Sequence, residues 1–192
     1  MKKLLLILLC VPLIGIGQQT EKKDKTFDIF HHPKSKGLNF SVKEPINFER
    51  EDGRRPNILY NWLKNRDNLE NRITISIAIK EFPEEVQLTK KEWVNYLKFE
   101  SGIKDFTEGM NDLNQEKYIV VESYPGLMFN YTNEVQRIDY TRKTFNTIII
   151  LIVENKMFNV IMAASNKSSL DLNEGVFLSL INSLIFSDQY KN

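Results

Sequence analysis

From Gly37 onward the chain is organised by two hydrophobic periods. In LNFSVK, Leu38, Phe40 and Val42 occupy alternate positions and share one face of a predicted strand, which Pro45 ends. ILYNWLK, residues 58 to 64, places Ile58, Tyr60 and Trp62 on one side, and RITISIAIKEF from Arg72 does the same with Ile73, Ile75, Ile77 and Ile79. The polar link Asn65 to Asn71 between them predicts an antiparallel pair with one buried face. The period then becomes helical. Thr89 and Glu92 have the spacing of a capping box, and Trp93, Tyr96, Leu97 and Glu100 form a mainly apolar stripe that Gly102 is expected to close. Trp93 is expected to pack in the core.

After the polar stretch DFTEGMNDLNQE the strand pattern returns in YIVVES from Tyr118, GLMFNYT from Gly126, NTIIILIVE and MFNVIMAAS, with VQRIDYTRKTF left ambiguous. Ile148 to Val153 read IIILIV without alternation, the pattern of a central strand covered on both faces. Asn155-Lys156 predicts a tight turn after it. Ser168-Ser169 is expected to cap a closing helix in which Leu172, Val176, Leu180 and Leu184 recur every four residues.

The first residues follow neither pattern. Lys2 and Lys3 precede an apolar run of 13 residues, Leu4 to Ile16, and Gly15-Ile16-Gly17 puts small residues before Gln18. This predicts a signal peptide over residues 1–17, cleaved between Gly17 and Gln18, and an exported protein, periplasmic or extracellular. The run contains Pro12 and falls short of the roughly 20 residues a spanning helix needs, so no transmembrane span is expected after signal removal. Lipid anchoring through Cys10 is the alternative; Leu6 to Leu9 before it lack the small residue such a site normally carries. Residues 18–36, ending in HHPKSK, are polar apart from Phe27, Ile29 and Phe30, and read as a linker or loosely held arm before a single domain over 37–188.

Composition narrows the function classes. Cys10 is the sole cysteine, so its loss with the signal would leave neither disulfides nor thiolate metal sites. Removing Lys2 and Lys3 as well lowers the basic residues from 26 to 24 against 25 acidic ones, a net of −1. Basic and acidic residues are interleaved, which argues against nucleic acid as a partner. The eight glycines form no phosphate-cradling pattern, and no cofactor is implied.

The layout resembles the PsbP-like fold, which also includes the Mog and DcrB groups, over roughly residues 37 to 187. The resemblance is carried by LNFSVKEP, by the TxxEW helix start at Thr89, by VESYPG at Val121 and by INSLIF at Ile181. It implies an α+β domain in which an antiparallel sheet is sandwiched between helices. It further implies a non-enzymatic role, since members are mostly extrinsic subunits of membrane complexes, protein-binding factors, or exported and lipid-anchored proteins.

Residue chemistry yields no catalytic or metal candidate. His31 and His32 are adjacent in the polar arm, where neighbouring side chains of an extended segment diverge. Glu81, Glu84, Glu85, Asp105, Glu108 and Asp112 read as a solvated rim. The expected activity is binding of a protein or membrane-associated complex, with Tyr60, Trp62 and Tyr131 as candidate contact residues because aromatics dominate interface energetics. The alternative is a small-molecule or lipid carrier with an apolar pocket between sheet and helix, lined by Phe99, Phe106, Met128, Phe129 and Met162.

Overall fold

The computed structural model describes residues 25–136 and 141–187. The signal reading, Cys10, the Gly17–Gln18 cleavage and the middle of the ambiguous VQRIDYTRKTF run lie outside the described residues. Among the described residues, ten strands and three α-helices follow in the order β1 (Thr26–Ile29), β2 (Phe40–Lys43), β3 (Glu49–Asp52), β4 (Ile58–Lys64), β5 (Ile73–Glu81), α1 (Lys90–Lys98), α2 (Glu100–Thr107), β6 (Asn111–Val121), β7 (Tyr124–Gln136), β8 (Thr141–Val153), β9 (Lys156–Ala164), α3 (Lys167–Asn182) and β10 (Ile185–Phe186). The main sheet has seven strands in the order β3-β4-β5-β9-β8-β7-β6, every neighbouring pair antiparallel. A smaller sheet, β1-β2-β10, packs beside α3.

The apolar run of β8 sits at the middle of the core, buried continuously from Asn146 to Val153. Alternate residues serve two separate layers. Ile149, Leu151 and Val153 pack with Phe40, Trp62, Phe158 and Phe177 under α3 and the small sheet. Ile148, Ile150 and Ile152 pack with Trp93, Leu97, Leu127 and Phe129 under α1 and α2. This is the α+β sandwich the resemblance implies, helices flanking an antiparallel sheet.

Local chemistry explains the boundaries. The Thr89 hydroxyl accepts the Glu92 amide, 3.3 Å, and the Glu92 carboxylate accepts the Thr89 amide, 2.7 Å, so the capping box forms as expected. The Thr89 hydroxyl also donates to Glu92 Oε2 at 2.7 Å, and that bond, with the one from the Thr89 amide, holds the Glu92 carboxyl below its usual range. Gly102 does not close the helix. Phe99, in extended conformation, ends α1, and Gly102 lies inside α2, where a Cβ would stand 2.1 Å from the Tyr96 carbonyl oxygen. Gly126 has the same role in the sheet, a Cβ there meeting the Ile150 oxygen at 2.2 Å.

Several expectations are corrected. The arm read as a loose linker is a paired strand from Thr26, Thr26 opposite Lys43 and Ile29 opposite Phe40, because Ile29 finds full cover in the core. The charged stretch Glu49–Asp52, for which the pattern predicts no element, forms β3, an edge strand that water can solvate. The turn after β8 is Glu154-Asn155, both at positive φ, one residue earlier than expected. Asn166, not the serine pair, caps α3 by accepting the Ser169 amide at 2.8 Å. The buried stripe of α3 is Leu170, Asn173, Phe177, Leu180 and Ile181, while Leu172 is 80% exposed. Phe177→Ala should therefore cost about 3–5 kcal/mol by opening a core cavity, and Leu172→Ala less than about 0.5 kcal/mol. Urea unfolding of the two variants measures both.

Candidate functional site

The residues singled out from sequence do not converge. Tyr60 and Trp62 lie on the α3 side of the sheet and Tyr131 on the α1 side. Trp62 is fully buried, so it presents no surface to a partner. Tyr60 is half-buried beneath Phe27, whose ring crosses it edge-on at 5.1 Å, and His32 at 5.3 Å, with the Arg50 guanidinium above. Burial and the nearby Asp52 charge push the Tyr60 phenol up, partly offset by Arg50. The carrier residues are also divided: Met162 faces the α3 layer, Phe129 faces the α1 layer, and Phe99 is 65% exposed. They line no common pocket. His32 accepts the Lys34 amide at 3.1 Å and so caps the short turn at Pro33–Ser35. The six rim carboxylates are all exposed. Among the described residues no group of three or more His, Cys, Asp or Glu is placed to hold a metal.

The apolar concavity lies elsewhere, on the α1 face. The segment from Phe82 to Leu88 leaves β5, turns over the sheet and enters the Thr89 cap. Between it, α1, α2 and the start of β9 lies a cleft of about 460 Å³, walled by Phe82, Val86, Leu88, Trp93, Phe106 and Met157. A second cleft of about 370 Å³ continues from the same Leu88 and Trp93 toward Tyr124, Pro125 and Ile152. The wall of the first cleft is ordered by ring contacts. Phe82 lies 4.7 Å from Trp93 at 31°, Phe106 crosses Phe82 at 6.5 Å and 86°, and Tyr96 crosses Trp93 at 5.8 Å and 79°. The Trp93 indole N–H donates to Asn155 Oδ1 at 3.0 Å, which pins α1 to the β8–β9 turn and fixes the indole at the junction of the two clefts. Glu81, Glu85, Asp105 and Glu154 outnumber Lys80 and Lys90 around the combined rim, giving an acidic frame to an apolar floor.

Sequence reasoning placed Trp93 in the core, which it is, at 3% exposed, but missed that its half-buried neighbours Phe82, Val86 and Leu88 leave concave surface beside it. The available signal was FPEEVQL, an apolar position every few residues in a segment with no regular period.

No family model matches the chain, and no curated protein matches it. Solved structures do. LpqN of Mycobacterium tuberculosis, involved in cell envelope biogenesis, matches with a TM-score of 0.50 at 9% identity over 86% of this chain and 92% of that one. Cyanobacterial PsbP (CyanoP) from Synechocystis sp. PCC 6803 gives 0.45 at 11% over 85% and 93%. The Saccharomyces cerevisiae Ran-binding protein Mog1p gives 0.45 at 10% over 86% and 96%. At these identities the likeness is one of fold, an α+β arrangement that the chain shares with LpqN.

The phenols on this face report its integrity. Tyr96 donates to the Asp105 carboxylate, which together with burial pushes its phenol up, and burial alone does so for Tyr118 and Tyr131. A phenol held above its unfolded value of about 10 favours the folded state only while neutral, so stability falls as pH rises beyond that value. Tyr96→Phe should narrow this alkaline loss, read from urea midpoints at neutral pH and at pH near 10.5.

Proposed function

We propose that the chain is an exported, non-catalytic binding protein that engages another protein, or a membrane-associated complex, through the cleft centred on Trp93. The observation that carries this reading is the pair of clefts meeting at Leu88 and Trp93, an ordered aromatic wall left open at the surface. Interfaces gain most from aromatic anchors seated in preformed pockets with a polar rim. Phe82, Trp93 and Phe106 already hold one another, so little side-chain entropy is lost when a partner side chain enters. The acidic rim favours a partner segment with apolar side chains flanked by basic ones.

Export rests on the Lys2-Lys3 and Leu4 to Ile16 pattern. No helix among the described residues is long and apolar enough to cross a membrane. The fold is shared with LpqN, a protein of cell envelope biogenesis, which fits a role at that compartment. The carrier reading is the weaker one, because its lining residues fall on opposite sides of the sheet.

The test is affinity capture with the chain starting at Gln18 from a detergent-solubilised envelope of the native cell, beside a Val86→Asp variant. Val86 is half-buried on the loop, so the variant keeps the core intact while putting a charge in the cleft. A specific protein that the wild type retains and the variant loses, with affinity down at least tenfold, supports the proposal. Equal retention by both moves the interface elsewhere, and a co-purifying lipid or metabolite in place of a protein replaces the reading with the carrier.

A further inference from the structure

A third cleft, of about 360 Å³, lies on the opposite face of the sheet and differs in chemistry. Its floor is the far end of β6, β7 and β8, and its wall is the first half of α3. Volumes of this order lie within the usual range of small-ligand sites, roughly 300–1,000 Å³.

The strand β6 departs from regular pairing at this place. Its register against β7 shifts twice, between Asn111 and Asn114 and between Asn114 and Lys117, and Asp112 and Gln115 stand at φ of 49° and 56°. Both values are in the left-handed region, which costs free energy for residues other than glycine. Bulges re-aim side chains, and here they build a polar floor. Asp112 Oδ2 accepts from the Thr132 hydroxyl at 2.6 Å and from Lys143 at 3.4 Å, contacts that hold its carboxyl below the usual range. Gln115 Oε1 accepts from Asn130 Nδ2 at 3.1 Å.

The other end of that amide is unmatched: Asn130 Oδ1 is buried with no hydrogen-bond partner. An acceptor desolvated in this way without a partner is unfavourable, and it marks the Asn130 amide as a strained point in the polar lining. Thr147, 4% exposed, adds a second buried polar group to the lining.

The character of the lining selects the ligand. Amides and hydroxyls, which both donate and accept, dominate the floor, while Asp171 and Glu174 of α3 supply acceptors and Lys167 one cationic donor. A metal ion does not fit, since no group of three His, Cys, Asp or Glu among the described residues is placed to hold one. An anion does not fit either, with three carboxylates against a single lysine in the lining. The half-buried Phe145 ring and the buried Leu170 give the cleft an apolar side suited to the C–H face of a sugar ring. We propose that this cleft binds a neutral saccharide, its hydroxyls exchanging hydrogen bonds with Asn130, Thr132, Asp171 and Glu174.

The test is heteronuclear NMR titration of the chain from Gln18, which retains every described residue, with maltose, cellobiose and N,N′-diacetylchitobiose at millimolar concentrations. The expected result is saturable shift changes for at least one of the three, confined to the ends of β6, β7, β8 and the start of α3. Asp171→Ala, on an exposed helix face, should weaken that binding at least tenfold, and Asn130→Ala should do the same. Val86→Asp, on the other face of the sheet, should leave it unchanged, which separates this site from the Trp93 cleft. No shift changes with any of the three, or changes that Asp171→Ala leaves intact, would overturn the proposal.

Discussion

The double burial of β8 is the constraint from which the rest of the architecture follows. Eight consecutive residues, Asn146 to Val153, are buried, and six of them are aliphatic. Burying each such side chain is worth about 1.5–3 kcal/mol, so a strand of this kind is stable only with an apolar layer on each face. The chain supplies those layers from different places. Residues before β3 and after β9 cover one face, and the connection between β5 and β6 covers the other. A sequence with one helix pair fewer would leave isoleucines in water.

A run apolar on both faces cannot specify its own register, because a slip by one residue exchanges one apolar face for another. The neighbours must do it. In β9, Phe158, Val160, Met162 and Ala164 are buried on one face while the residues between them are less so. The Glu154-Asn155 turn, both residues at positive φ, fixes Val153 against Lys156. On the other side, Gly126 lets the β7 backbone approach the Ile150 carbonyl where any Cβ would collide. A turn and a glycine, not the hydrophobic run, hold the centre of the sheet in place.

This division explains what could be read from sequence. Strands with one buried face, such as β5 with its four alternating isoleucines, and the helix start at Thr89 are local patterns and were legible. Helix α2 has no side-chain cap and starts directly behind Phe99; Ile103 and Phe106 hold it from the core, so only tertiary packing makes it. In β3 the residues Glu49 to Asp52 contain no apolar position, and the strand exists because β4 offers an edge. The α3 stripe was misread by its spacing: a strict four-residue period drifts around a helix of 3.6 residues per turn, and packing selected the 170, 173, 177, 180, 181 face. The Trp93 cleft was illegible for a related reason, since its wall comes from four separate segments.

Aromatic content proved a poor guide to surface because the sheet hides it. Trp62 was attractive as an anchor, yet it is enclosed, with even its indole N–H buried and unpartnered. Trp93, placed in the core from sequence, keeps its N–H paired to Asn155 and stands where two open clefts join. The difference lies in what covers each ring. The α3 face is roofed by a helix and a second sheet, whereas the α1 face has two short helices and a loop that leave its margin unfilled. The same seven strands therefore separate an apolar concavity from a polar one. Between them lies a sheet whose register is pinned at both neighbours of β8, so the apolar and the polar concavity meet solvent on opposite sides of it and take different chemistry from it.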